Sequence, residues 1–277
     1  MRLGQVAFTA VLVAALVVTL AFLLLPVVAI FLDTPPGRLL DGLRSEAARD
    51  ALAVTLKTNL VAQALVLAFG TPAAYLLATR RFRGRALAVT VVELPLVLPP
   101  AVAGVGLLAA FGTLGLLGGT LDVLGLELAF TQAAVVLAVA FVASPFYVRS
   151  AIAAFEAVDT TLLDASRTLG AGPARTFARV ALPLAAGGLS AGAALAFARG
   201  LGEFGATIMF AGSLQGVTQT LSLAIYEQFD VDFDVALGIS GLLVLVSGGL
   251  LLAVKLVPGW TRSVSTLPTA SASSASS

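Results

Sequence analysis

Residues 156–188 read EAVDTTLLDASRTLGAGPARTFARVALPLAAGG, and this stretch lies between two strongly apolar runs. It must therefore be a loop at the membrane surface, yet its pattern predicts two short helices. Asp159 or Thr160 suits the N-cap of the first helix, and Gly170 suits its C′ position. We call residues 156–183 the two-helix loop.

The apolar residues and prolines of the two-helix loop define its two helices further. Leu162, Leu163 and Leu169 predict an apolar stripe along the first helix. Pro173 suits the first position of the second helix. Leu182-Pro183 predicts the end of that helix and the start of the next membrane run.

Three arginines, Arg167, Arg175 and Arg179, give the two-helix loop a basic surface. Such a pair of short amphipathic helices is typical of a knob that docks on a partner protein. It is equally typical of an interfacial pair that anchors to lipid headgroups. The residue pattern alone leaves both interpretations open.

The segment D-A-S-R-T-L-G followed by F-x-R-V-x-L-P resembles the cytoplasmic coupling loop of bacterial ABC importer permeases. In that family the pattern is Glu-Ala-Ala, three residues, Gly, and then I/V-x-L-P, and the loop inserts into a groove of an ATP-hydrolysing partner. Asp for Glu and Ser for the second Ala are departures that are conservative in size. The residues that stand at the family's positions are Asp164, Ala165, Ser166, Gly170, Leu182 and Pro183.

Composition indicates an integral membrane protein. The 277 residues are 59% hydrophobic and 11% charged, with a mean hydropathy of +1.03, whereas a soluble domain carries roughly a quarter charged residues. The chain has no cysteine and no histidine, which excludes disulfides, thiol or histidine catalysis and ordinary zinc or haem ligation. Neither Lys57 nor Lys255 lies in a phosphate-binding loop, so we expect no ATP hydrolysis by this chain and no cofactor.

Six apolar runs predict an all-α fold of six transmembrane helices. The stretch 113–130 is too short and interrupted to span. We expect residues 1–50 to form the first helix and an external loop, residues 51–258 a permease core, and residues 259–277 a disordered cytoplasmic tail. The six runs are approximately 6–32, 51–79, 86–112, 131–151, 183–211 and 235–257.

Charge asymmetry predicts the orientation of the chain. The loops after runs two and four are basic, and the loop after run five is acidic. The positive-inside rule places the basic loops, and with them both termini, in the cytoplasm. The basic residues are Arg80, Arg81, Arg83, Arg85, Arg167, Arg175 and Arg179, and the acidic ones are Glu227, Asp230, Asp232 and Asp234.

The third run contains Glu93 and three prolines, Pro95, Pro99 and Pro100, that must bend or break its helix. Broken backbone at membrane depth survives only where protein or a water-filled cavity surrounds it. The residues therefore indicate either a packing kink or part of a translocation path.

The fifth run contains Arg199, Gly202 and Glu203. Arg199 and Glu203 are four residues apart, so on a helix they share a face and can pair. Charges in a membrane are expensive and suggest a function. The pair either ties helices together at a subunit interface or lines a path for an oxyanion.

Three motifs together resemble molybdate permease subunits, a similarity that spans roughly residues 51–257. The motifs are L-P-L-V-L-P-P-A-V-A-G-V, L-G-E-F-G-A and T-Q-T-L-S-L-A-I-Y, the last at residues 218–226. Sulfate permeases share the first two but differ at residues 218–221. The resemblance implies a type I importer fold, a homodimer, two copies of an ATP-binding cassette ATPase subunit and an extracytoplasmic oxyanion-binding protein. It implies no nucleic acid partner.

Other functions remain open at this point. Tungstate is an alternative substrate, and a sulfate or thiosulfate permease is an alternative of the same class. A secondary transporter could use Arg199 and Glu203 for ion coupling, although inverted repeats would then be expected. A scaffold without transport would leave the broken helices unexplained.

Overall fold

A computed structural model describes residues 2–32, 37, 42 and 44–256. The regular structure in this part of the chain is helical throughout, as the composition predicts. The predicted tail at 259–277 and part of the predicted external loop lie outside the described residues.

The described chain contains long apolar helices separated by short ones and by breaks. The elements are α1 (Arg2–Leu32), α2 (Glu46–Thr79), α3 (Arg85–Val97), α4 (Pro100–Phe111), α5 (Gly118–Val123), α6 (Gln132–Glu156), α7 (Thr160–Thr168), α8 (Pro173–Thr176), a π-helical turn (Phe177–Ala181), α9 (Leu182–Leu201), α10 (Gly205–Ala211), α11 (Leu221–Val231) and α12 (Phe233–Leu256).

Five stretches of helix are long and apolar enough to cross a membrane, and a sixth span is a bent pair. The five are α1, α2, α6, the continuous stretch Pro173–Leu201, and α12. The sixth consists of α3 and α4, which are separated by a break at Leu98 and Pro99. The predicted six-helix membrane fold is therefore confirmed, with one of its spans broken.

The break in the third run is made by Pro99 and Pro100. Leu98 is extended, with φ −68° and ψ 132°, because a residue before proline is disfavoured in the helical region. Pro99 occupies the N-cap of α4 and Pro100 its first turn, where a missing N–H costs no hydrogen bond. Pro95 remains inside α3.

The prediction that a helix ends at Leu182-Pro183 is wrong, because helix runs continuously from Pro173 to Leu201. A proline inside an α-helix removes one hydrogen bond and clashes with the carbonyl four residues earlier. Here the preceding turn is π-helical, and the Leu182 N–H bonds to the Phe177 carbonyl. This wider turn lets the chain pass Pro183 without ending the helix.

The chain forms two compact units, and four helices contribute residues to both. The first unit comprises Met1–Asn59, Pro99–Ala138 and Leu201–Ser247, and the second comprises Leu60–Leu98, Val139–Gly200 and Gly248–Ser277. Two of the boundaries, at Leu98/Pro99 and Gly200/Leu201, coincide with or lie within two residues of helix breaks.

In the first unit, α4 and α10 touch through glycines. A Cβ atom at Gly104 would lie 2.6 Å from the Ala206 carbonyl oxygen. A Cβ atom at Gly205 would lie 2.6 Å from the Cβ atom of Pro100. Small residues allow this backbone approach, as is common between membrane helices.

The second unit is built around α6. The Tyr147 side chain is buried, and its hydroxyl lies 2.6 Å from the Thr71 hydroxyl. Two glycines of α9 meet this helix, since Cβ atoms at Gly188 and Gly192 would lie 2.5 Å and 2.6 Å from the Cβ atoms of Ala154 and Ser150.

We predict that Gly104→Ala destabilises the protein and that Gly106→Ala does not. Both glycines lie in α4, but nothing lies within 4 Å of a Cβ atom at Gly106, whereas Gly104 abuts backbone. Overpacking of this kind costs about 1–3 kcal/mol, and alanine for glycine in an open helix gains up to about 1 kcal/mol.

Melting temperatures of the purified protein in detergent measure this difference. The G104A variant should melt below the wild type, and G106A should melt at or above it. Equal melting of the two variants would contradict the close approach of α4 and α10.

Candidate functional site

The first short helix of the two-helix loop starts with a side-chain cap. Asp159 is the N-cap of α7, and its Oδ1 accepts from the Thr161 N–H at 2.8 Å. Hydrogen bonds with the backbone and the side chain of Thr161 lower the pKa of Asp159. The carboxylate thus stabilises the cap above its unfolded pKa of about 3.9, and this contribution disappears only as the pH falls through the lowered value.

The same helix ends on a Schellman motif, as Gly170 predicts. Gly170 has φ +83°. Its N–H bonds to the Arg167 carbonyl at 2.9 Å, and the Ala171 N–H bonds to the Ser166 carbonyl at 3.1 Å. This pair of bonds satisfies two carbonyls at the end of α7 and requires a left-handed residue at position 170.

The two short helices hold each other through small polar groups. The Ser166 and Thr176 hydroxyls lie 3.1 Å apart, and Thr176 is buried. The predicted leucine stripe is only partly correct. Leu163 is buried, but Leu162 and Leu169 are exposed, because α7 turns one side inward and presents the other outward.

Within the second unit, an aromatic cluster anchors the two-helix loop to α2 and α6. The ring centroid of Tyr75 in α2 lies 5.2 Å from that of Phe155 in α6 and 4.8 Å from that of Phe177 in the π-helical turn. Such pairs contribute about 0.5–1.5 kcal/mol beyond burial. Neither Tyr75 nor Phe155 belongs to a sequence motif, so no role could be predicted for them from the sequence.

Arg85 joins three helix ends beside this cluster. Its Nε donates to the Leu77 carbonyl of α2 at 2.7 Å, and a terminal nitrogen lies 2.8 Å from Glu156 Oε1 at the end of α6. In the sequence, Arg85 indicates only the orientation of the chain. Its structural contacts are fixed by tertiary packing.

The six residues that match the coupling pattern lie together on the outer part of this assembly. Asp164 forms an ion pair with Arg167 at 2.9 Å and remains exposed. Ala165, Gly170 and Pro183 are also exposed, and Ser166 and Leu182 are half-buried. Three of the six, Ala165, Ser166 and Pro183, line a groove of about 600 Å³ together with residues such as Leu162, Leu169 and Leu184.

The second candidate region is the break in the fifth run. Helix α9 ends at Leu201, and Glu203 lies between α9 and α10. The prediction that Arg199 and Glu203 share a helix face is therefore wrong, because the glycine-rich segment ends the helix before Glu203. Glu203 is buried and its Oε1 accepts from the Ala206 N–H at 2.8 Å, which caps α10.

Arg199 is half-buried in the last turn of α9, and Gly202 is exposed in the break. The two residues lie in different compact units, with Arg199 in the second and Gly202 in the first. Pro99, Pro100 and Glu203 also belong to the first unit.

Residues 218–221, which distinguish the molybdate pattern, are buried in the first unit. The Thr218 hydroxyl accepts from the Leu214 N–H at 3.0 Å, and the Leu221 N–H donates to the Thr55 hydroxyl of α2 at 2.8 Å. The Gln219 amide donates to the Glu227 carboxylate. This segment is thus packed into the fold before α11.

Glu93 and Pro95 of the third run belong to the second unit. Glu93 forms an ion pair with Arg149 of α6, with 3.2 Å between Oε1 and Nε. Arg149 lies two residues before the end of the predicted run 131–151 and belongs to none of the sequence motifs. The helix continues past it to Glu156.

Comparison with known proteins identifies the family. Residues 70–255 match the model of the "binding-protein-dependent transport system inner membrane component" family. The chain belongs to this family. The permease is 43% identical over 235 residues to the molybdenum transport system permease protein of Mycobacterium tuberculosis, covering 85% of this chain and 89% of the relative.

Two further comparisons place the permease more broadly. It is 34% identical to a probable sulfate transport system permease protein of Nephroselmis olivacea, covering 78% of this chain and 76% of that protein. A chain in the crystal structure of a bacterial alginate ABC transporter has the same fold, with a TM-score of 0.71 and 15% identity over 90% of this chain and 92% of that chain. The predicted type I importer fold is confirmed.

The family assignment decides between the functional classes left open by the residues. The motif resemblance to molybdate permeases is confirmed by relatives of that kind. The permease is a multi-pass inner-membrane component, and the relatives that it matches are transport permease proteins. The family favours a binding-protein-dependent importer over a secondary transporter or a scaffold.

We predict that Gly170→Val uncouples transport while the protein still inserts into the membrane. A left-handed conformation costs about 1–2 kcal/mol for a residue with a Cβ atom, and a β-branched residue tolerates it least. Nothing lies within 4 Å of a Cβ atom at this position, so the effect comes from the backbone alone.

Gly170→Asn is the matched control, because asparagine tolerates this backbone conformation. Solute uptake by membranes with equal amounts of each variant measures the effect. Uptake should be lost in G170V and largely kept in G170N. Normal uptake by G170V would contradict the role of the turn.

Proposed function

We propose that this permease translocates molybdate, or the similar tetrahedral dianion tungstate, across the cytoplasmic membrane. The observation that carries the proposal is 43% identity to a molybdenum permease over 85% of the chain. The sulfate relative is less similar, at 34% identity. Sulfate or thiosulfate is therefore the second candidate substrate.

The proposed energy source is a separate ATP-binding cassette subunit, bound at the two-helix loop. Three features support this docking. Ala165, Ser166 and Pro183 of the coupling pattern line a groove. The exposed leucines Leu162 and Leu169 supply apolar contact area, and the turn at Gly170 has a fixed shape. Two copies of the permease and two copies of the ATPase subunit would form the transporter.

The remaining partners follow from the orientation of the chain. Arginine placement supports a cytoplasmic two-helix loop and cytoplasmic termini. The opposite side of the membrane would then receive an extracytoplasmic oxyanion-binding protein. That protein, rather than the permease, would make most of the selection between oxyanions.

The second unit explains how movement of the ATPase could reach the membrane. The Tyr75 cluster and Arg85 connect the two-helix loop to α2, α3 and α6. A displacement of the loop would therefore move these helix ends as one body. The helix breaks after Val97 and Leu201 provide hinges at which such a movement can change the path.

Uptake of radiolabelled molybdate tests the proposed substrate. The permease is expressed in a strain lacking its gene, together with its ATPase and binding protein, with and without excess sulfate. We expect molybdate uptake to be restored and to persist in excess sulfate. We expect tungstate to compete with molybdate for uptake. Uptake abolished by sulfate would assign the permease to sulfate, and no uptake of either ion at verified expression would reject both substrates.

A further inference from the structure

Arg149 is unusual among the residues of α6. The structure describes all of residues 134–152, and Arg149 is the one exposed residue among them. The other residues there are buried or half-buried, which makes α6 the most buried of the five straight spans. The one exposed position in this part of α6 is therefore occupied by a charged residue.

The position of Arg149 along α6 places it inside the membrane span. It lies seven residues before Glu156 and seventeen after Gln132, or about 10 Å and 25 Å at a rise of 1.5 Å per residue. A helix centred on a hydrocarbon layer of about 30 Å would hold this residue several ångströms inside the layer.

Two ion pairs fix the depth of this charge relative to α3. Arg85, at the start of α3, pairs with Glu156 at the end of α6, so these two helix ends are level. Glu93 lies eight residues further along α3, at a depth of about 12 Å, and pairs with Arg149. Arg149 therefore reaches a carboxylate inside the span rather than extending to the membrane surface.

The pair stays open to its surroundings. The side chain of Arg149 is 59% exposed and that of Glu93 is 38% exposed. A charged side chain at the centre of a membrane helix costs about 2.5–3.5 kcal/mol, and intramembrane charges almost always face a bundle interior or a water-filled cavity. The exposed side of the pair is thus expected to face water.

We propose that Arg149 and Glu93 line the aqueous path of the transporter, and that Arg149 binds the passing oxyanion in place of Glu93. A guanidinium presents several N–H donors in a plane and suits a tetrahedral oxyanion. Glu93 neutralises Arg149 when no anion is present and repels a bound dianion. Binding is therefore transient, as passage through a path requires.

This inference rests on the proposed import of an oxyanion and adds the residue that contacts it. Arg149 acts directly on the solute, and Glu93 is a positioning residue that acts through Arg149. Neither residue belongs to the two-helix loop.

Because the chain has no cysteine, Arg149→Cys creates a single labelling site. The complete transporter with R149C is treated in vesicles with a membrane-impermeant methanethiosulfonate, and the mass of the permease chain reports labelling. Val91→Cys is the matched control, since Val91 is 58% exposed on α3 at a depth of about 9 Å and is apolar.

We expect R149C to react at least about tenfold faster than V91C, because these reagents require water and a water-facing thiolate. Labelling of R149C as slow as that of V91C would overturn the proposal that the pair faces the path.

Transport per ATP hydrolysed separates a path residue from a structural ion pair. We expect Arg149→Ala to lower the molybdate carried per ATP by about tenfold or more, the size of one lost charged hydrogen bond. Arg149→Lys should restore part of it, and Glu93→Gln should slow release of the anion. Equal loss of uptake, ATPase activity and assembled complex in R149A would show a structural role and overturn the proposal.

The labelling experiment tests the path residue and the uptake experiment tests the substrate, so either prediction can fail while the other holds. Rapid labelling of R149C in a transporter that imports sulfate and not molybdate would support the path residue and reject molybdate as the substrate. Slow labelling in a transporter that imports molybdate would reject the path residue and leave the proposed function intact.

Discussion

The bilayer requires every backbone N–H and C=O group to find a partner within the protein, and this requirement governs each irregular point of the permease. At the third run, Pro99 and Pro100 end one helix and start the next. The N–H groups that these prolines lack are therefore at a helix start, where they would have no partner within the helix. At the fifth run, the buried Glu203 carboxylate accepts from the first turn of α10. At Pro183 a π-helical turn keeps the helix continuous.

Close packing through glycines is the second consequence of the same environment. Lipid tails are as apolar as leucine, so apolar area alone does not hold membrane helices together. Gly104 and Gly205 bring α4 and α10 into backbone contact, while Gly188 and Gly192 bring α9 onto α6. Both broken spans thus contribute a half-helix to one tightly packed pair, and the breaks are supported by that packing.

The two-helix loop combines a rigid base with an exposed outer face. Its base is held by the aromatic cluster of Tyr75, Phe155 and Phe177 and by the contacts of Arg85. Its outer face keeps Asp164 and Leu169 in solvent. The aromatic contacts and the bonds of Arg85 therefore hold the base of the loop to α2, α3 and α6.

Local chemistry let the sequence by itself determine the membrane class, the six spans, the break at the prolines and the turn at Gly170. Those features depend on composition, on proline's missing N–H and on the backbone freedom of glycine. The tertiary structure alone decided that Glu203 caps α10 instead of sharing a helix face with Arg199, that helix continues through Pro183, and that Arg149 pairs with Glu93. Glu93 and Arg149 are 56 positions apart in the chain, and helical periodicity carries no information about such a contact. The Glu203 cap and the π-helical turn are local hydrogen bonds, but they depart from the regular helix that the sequence pattern predicts.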